Sequence, residues 1–249
     1  MAGLIVAAPL FVAAIALISP QATGGPQVKN VLVAPVGGAA SAQALAAAVV
    51  MDYPELPGIG ARFGSRLLAN TSQVVVAYGD GENQYTTTTE FFEKAADGWR
   101  LEGTWLGHNG YKGWTTHKIT GDLKSPIGVF ALTDAGGELP KPPGTELPYQ
   151  RSRRYEDDGK GFFGESLRNA FHYVIAIDYN HVPGTPPSSP DYPLGAGAGT
   201  GVWLHVDHGG PTHACVSVPQ QGMETLLEKL QPADHPMIIM GDRADLASG

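Results

Sequence analysis

Glycine and proline interrupt this chain throughout, 33 and 20 of them in 249 residues, and only 16% of the residues are charged. A chain so punctuated suits a loop-rich, mainly β protein better than a helical bundle. The runs between the interruptions agree. Residues 73–78, 85–94, 99–106, 129–133, 171–179, 202–206 and 213–218 are short, rich in β-branched or aromatic side chains, and bounded by Gly, Asp, Asn or Pro. In 171–179 the odd positions Phe171, Tyr173, Ile175, Ile177 and Tyr179 are all large and apolar, as expected for a strand with one buried face. One helix is expected near the end, over 220–230, with Met223, Leu226, Leu227 and Leu230 on one stripe and Pro219 at its start.

Three segments follow from the pattern. Residues 1–22 carry an almost unbroken apolar run ending near Ile18, about the length of a secretory leader and short for a membrane span, so they read as a signal peptide or short anchor. Residues 23–70 read as a linker with a short Ala-rich helix over 41–51, for which Ser41 is the N-cap. Residues 71–243 read as one globular domain, within which 134–166 and 181–201 are expected to be long covering loops. A net charge of −8 argues against a nucleic-acid partner, because nothing would neutralise a phosphate backbone.

Cys215 is the only cysteine. In an exported chain it has no internal disulfide partner, which leaves an inert core thiol or a reagent. Strands 202–206 and 213–218, joined through His208-Gly209-Gly210-Pro211-Thr212, are expected to form an antiparallel hairpin. Pairing His205 with Cys215 sorts the side chains: Val202 with Val218, Leu204 with Val216 and Val206 with Ala214 make an apolar face. Trp203 with Ser217, His205 with Cys215 and Asp207 with His213 make the other. Opposed Cβ atoms lie about 5 Å apart, so the imidazole can take the thiol proton and create a thiolate nucleophile. Asp207, a loop carbonyl or a group from another strand would orient the ring. The N–H groups around His213, Ala214 and Cys215 would serve a tetrahedral oxyanion.

These residues resemble the L,D-transpeptidases of bacterial cell walls. That family carries a strand His followed by Ser/Thr-His-Gly-Cys-Ile/Val-Arg, and here Leu204-His205-Val206 precedes Thr212-His213-Ala214-Cys215-Val216-Ser217. Its second feature, Thr/Ser-Pro-x-Gly-x-Phe, matches Ser125-Pro126-Ile127-Gly128-Val129-Phe130, and the resemblance covers residues 70–242. It implies a YkuD-like β-sandwich or barrel with few short helices and long covering loops. It implies catalytic Cys215, His205 and His213, with Thr212, Ala214, Ser217, His108, Asn109, Gly128 and His172 lining a substrate site. The implied reaction is a two-step acyl transfer between peptidoglycan stem peptides in the cell envelope, without a cofactor. A donor tetrapeptide and an amine acceptor are the implied partners, water as acceptor would give carboxypeptidase activity, and a carbapenem would acylate Cys215.

Three departures stand out. Ala214 replaces the family's Gly, Ser217 replaces its Arg, and the interval from His205 to Cys215 is short. Loss of the Arg shifts substrate anchoring to Lys118, Lys124 or the arginines at 151, 153 and 154. Two other functions compete: a metal-dependent peptidoglycan hydrolase using His205, His208, His213 and Cys215 as ligands, and a catalytically silent wall-binding module.

Overall fold

The structure is a computed structural model that describes residues 27–30 and 49–248. Its strands in chain order are β1 (Gln27–Asn30), β2 (Val49–Tyr53), β3 (Gln73–Gly79), β4 (Thr86–Ala95), β5 (Gly98–His108), β6 (Trp114–Thr115), β7 (Ser125–Pro126) and β8 (Gly128–Ala131). They continue with β9 (Ala135–Gly137), β10 (Tyr149–Arg151), β11 (Val174–Ala176), β12 (Trp203–Val206), β13 (Val216–Val218) and β14 (Met237–Asp242). The helices are α1 (Ala61–Gly64), α2 (Gln220–Lys229) and α3 (Arg243–Ala247). The protein is mainly β. Seven strands form one open sheet in the order β1-β2-β5-β4-β3-β14-β8, and five form a second, β10-β9-β11-β12-β13.

The centre of the large sheet explains its sequence. Every residue of β3 and of β14 is buried, so neither needs a polar face. Val75, Ala77, Ile238 and Met240 point into one core, shared with Ile175, Leu204 and Val216 of the second sheet and with Met223, Leu226 and Leu227 of α2. Val74, Val76, Met237 and Ile239 point into the other, closed by Leu56, Phe63 of α1 and Leu246 of α3. Fully burying each large apolar side chain contributes roughly 1.5–3 kcal/mol, so both faces of the sheet carry stabilising weight.

Several expectations change here. The stretch 23–70 is not a plain linker: β1 and β2 extend the large sheet through pairing of β2 with β5, and residues 56–63 help cover its second face. The Ala-rich helix is contradicted over Val49–Met51, which are strand. The leader at 1–22 and the remainder of that helix lie outside the described residues. No described helix is long and apolar enough to cross a membrane. The stretch 134–166 holds β9 and β10, and 171–179 keeps only three residues of strand, all buried. The run Met237-Ile238-Ile239-Met240 is a central strand absent from the sequence-based assignment.

The expected hairpin is also corrected. β12 and β13 run parallel, with Leu204 opposite Val216, His205 opposite Ser217 and Val206 opposite Val218. The connecting loop does not fold back because its backbone bonds elsewhere. Thr212 N–H donates to Asn109 O at 2.9 Å and Tyr111 N–H donates to Thr212 O at 2.9 Å. The chain is therefore carried across the end of β5 before β13 begins. Leu204–Val216 is the one pairing common to both registers. Reversal about that pair leaves each residue on its original face, because side chains alternate with period two.

Candidate functional site

Cys215 sits immediately before β13 and lines a pocket of about 230 Å³ together with His205 of β12 and His208 of the following loop. Trp203 and Phe171 supply apolar wall, and Phe162 and Leu167 reach in from the loop before β11. The thiol loop is fixed by two hydroxyls. Thr212 Oγ1 donates to Cys215 O at 2.7 Å, and Ser125 Oγ donates to Ala214 O at 2.7 Å. Ser125 is fully buried and also accepts from Gly110 N–H at 2.9 Å. The two separated sequence motifs thus meet through a hydrogen bond.

His205 is 2% exposed, with Phe171 edge-on to its ring at 5.3 Å. Its Nδ1 lies 2.9 Å from Val206 O. A carbonyl can only accept, so Nδ1 carries the proton and Nε2 keeps the lone pair. The group that orients the imidazole is therefore the carbonyl of the next residue in β12, which is none of the alternatives open in the sequence. Burial pushes the imidazole down to about 4 against the partial support of the Val206 and Ala170 carbonyls.

Cys215 keeps some accessible surface in the pocket, yet the protein packed around its sulfur pushes the thiol up to about 11. The Trp203 backbone N–H and the charge of Lys118 pull weakly the other way. The sulfur donates to Gly201 O at 3.4 Å. The resting pair is neutral rather than thiolate–imidazolium, because a low-dielectric pocket disfavours both charges.

Asp207, the residue named in the sequence for orienting His205, turns away from it. Its Oδ1 lies 2.7 Å from His108 Nδ1 and accepts from Ser217 Oγ at 2.6 Å. Burial would raise this carboxyl, but His108 and Ser217 outweigh it and hold it below the ordinary range. Ser217 also accepts from the His108 backbone N–H at 3.0 Å. Where the family signature has Arg, this chain has a compact polar brace between β5 and β13.

The remaining expected residues separate clearly. Thr212 is buried beside the thiol loop, and exposed His213 sits at the pocket rim, its ring 4.9 Å from that of Phe162. Ala214 is buried in the core and is not among the residues with positive φ, so its methyl is accommodated. His108, Asn109, Gly128 and His172 do not line the pocket. Asn109 is fully buried, accepting from Thr87 Oγ1 and donating to Gln84 O, which spends its amide on structure. Gly128 packs in β8, where a Cβ would come within 2.5 Å of the Phe130 ring. His172 faces Gln220 and Glu138 instead.

Nor do the cationic candidates line the pocket: Lys118 pairs with Asp122 at 2.6 Å, and Arg153 pairs with Glu156. Among the described residues, the donor atoms of His205, His208, His213 and Cys215 do not gather within metal-binding reach. The group that does gather is Asp134, Asp178 and His181.

Glu165 and Phe162 were missed as named residues, although their loop was expected to cover a site. Phe162 stacks on Tyr111 at 4.7 Å, and Phe163 meets Tyr85 at 5.7 Å, which clasps this loop to the pocket rim. No family model matches this chain, and no curated protein does either.

Proposed function

We propose that this protein is a cysteine acyltransferase of the L,D-transpeptidase type, with a YkuD-like catalytic fold, acting on peptidoglycan stem peptides. The reading rests above all on one observation: Cys215 and an imidazole with a fixed Nδ1–H tautomer line the same pocket. The link from Ser125 to the carbonyl of Ala214 supports it by joining the two motifs of the resemblance.

Cys215 Sγ attacks the donor carbonyl as its proton moves to His205 Nε2. The developing oxyanion is met by N–H groups of the thiol loop, since neither the His213 nor the Ala214 N–H is taken by a protein acceptor among the described residues. Collapse breaks the C–N bond, His205 returns the proton to the departing D-alanine amine, and a thioester remains on Cys215. An amine of a second stem then takes the acyl group. General acid–base help of this kind is worth about 10²–10⁴ in rate.

Incubation with a tetrapeptide stem ending in D-alanine tests the reading. Wild type should release D-alanine and form a cross-linked dimer, and Cys215→Ala should do neither. Release by Cys215→Ala at the wild-type rate would remove the cysteine mechanism.

A further inference from the structure

The pocket holds a second imidazole that the reaction above does not use. The ring of His208 lies parallel to that of His205, with 4° between the planes and 5.7 Å between centroids. Rings stacked in this way pass no hydrogen bond between them, so each addresses the pocket separately. The His208 side chain is 4% exposed, and its Nδ1 lies 3.4 Å from Glu165 Oε1. The contact is long and poorly aligned, and neither atom has another partner among the described residues.

Glu165 is closely held in this arrangement. Its Oε2 accepts from Phe163 N–H at 2.8 Å, and Gly161 N–H donates to Glu165 O at 2.9 Å. Oε1 lies in a notch where a Cβ on either Gly161 or Gly210 would come within 2.0 Å of it. Burial would raise the carboxyl, but backbone N–H groups and His208 hold it below the ordinary range, so it is an anion. The contrast with His205 is chemical: a neutral carbonyl stands behind one ring and a carboxylate behind the other. Only the second has a counter-ion for its charged form, and that carboxylate offsets part of the burial that lowers the His208 imidazole.

We propose that His208 is the catalytic base for the acceptor amine in the second half-reaction, and that Glu165 is its positioning residue. This rests on the acyltransferase reading. In the step, the lone pair of a neutral amine forms the C–N bond to the thioester carbonyl and one amine proton moves to His208 Nε2. The C–S bond breaks with its electron pair on Cys215 Sγ, and the proton on His208 passes to that sulfur, restoring the thiol. His205 serves thiol attack and donor departure; His208 serves acceptor attack.

The test follows the mass of the intact full-length protein in time, using a tetrapeptide stem donor and then a tripeptide stem with a free side-chain amine. In His208→Gln, decay of the thioester adduct on amine addition should slow roughly a hundredfold, far more than adduct formation does. The groups facing His208 are Glu165, Asp207, His108 and His205. Wild-type decay should therefore fall with decreasing pH through a histidine titration. That titration should vanish in His208→Gln and move to lower pH in Glu165→Gln, a shift that mere loosening of the loop would not produce.

Decay at the wild-type rate in His208→Gln, or formation and decay slowed equally, overturns this proposal alone. Absence of any wild-type adduct overturns the acyltransferase reading with it. If His208→Gln does not fold, the Glu165→Gln profile decides, and an unmoved midpoint overturns the proposal.

Discussion

Two groupings of imidazoles and carboxylates among the described residues differ sharply in their hydrogen bonding. At Asp134, Asp178 and His181 both ring nitrogens are used: His181 Nδ1 meets Asp178 Oδ1 at 2.7 Å, and Nε2 donates to Thr185 O at 3.0 Å. Thr133 Oγ1 bonds to both carboxylates, and Gly184 N–H donates to Asp134. Around Cys215, by contrast, His205 shows one nitrogen without a partner among the described residues, His208 and Glu165 meet only through a long contact at 3.4 Å, and burial disfavours charge on both the thiol and the His205 imidazole. The first cluster commits its imidazole to architecture, with both ring nitrogens facing oxygen partners. The second holds unspent groups, which is what chemistry requires.

Substitution of the histidines separates the two most widely. His205→Gln should lower the rate of acyl-enzyme formation by about 10²–10⁴ with little change in fold, read by time-resolved intact mass. His181→Gln should leave that rate within a few-fold. It strands two buried carboxylates, so it should cost about 3–5 kcal/mol in chemical denaturation. A large rate loss in His181→Gln without destabilisation would erase the distinction.

Acid and alkali should part the clusters next. The folded His205 ring has its pKa depressed from 6.5 to about 4, so the unfolded chain binds a proton that the native one refuses. Its stabilising contribution is present above 6.5 and declines as the pH falls toward 4. His181 has the opposite sign. Burial would lower it, but Asp178 and Thr185 O hold its proton and raise it. Its contribution is complete below the ordinary imidazole value and is lost as the pH rises through the raised one. Denaturation curves across pH should show both limbs, the acid limb flattened in His205→Gln and the alkaline limb flattened in His181→Gln.

The Ser217 brace is the smaller effect. Ser217→Ala removes a donor from Asp207 and an acceptor from the His108 N–H, and should cost about 1–3 kcal/mol by the same denaturation. A neutral result would mean that the brace contributes nothing measurable to stability.

Much of this was readable from the sequence where one physical signal dominates. Local composition and turn residues located β3, β4 and β5, and a three-and-four spacing located α2. Side-chain alternation put His205 and Ser217 on one face and Leu204 and Val216 on the other despite the reversed strand. Direction was not readable, because it is set by remote bonds from Thr212 to Asn109 and Tyr111 that leave no local trace. β14 was missed because a strand buried on both faces has no alternation to detect. Glu165 was hidden for the opposite reason: a single carboxylate in a Gly-rich loop gains its meaning only when folding sets it beside His208.

The proposed chemistry requires that Cys215 be a reagent. Intact-mass measurement of the full-length protein after incubation with a carbapenem addresses this directly. Wild type should gain the mass of one drug molecule, with the adduct on Cys215 in peptide fragments, and Cys215→Ala should gain none. An unmodified wild type under conditions that label a known cysteine acyltransferase, or equal labelling of Cys215→Ala, would contradict it.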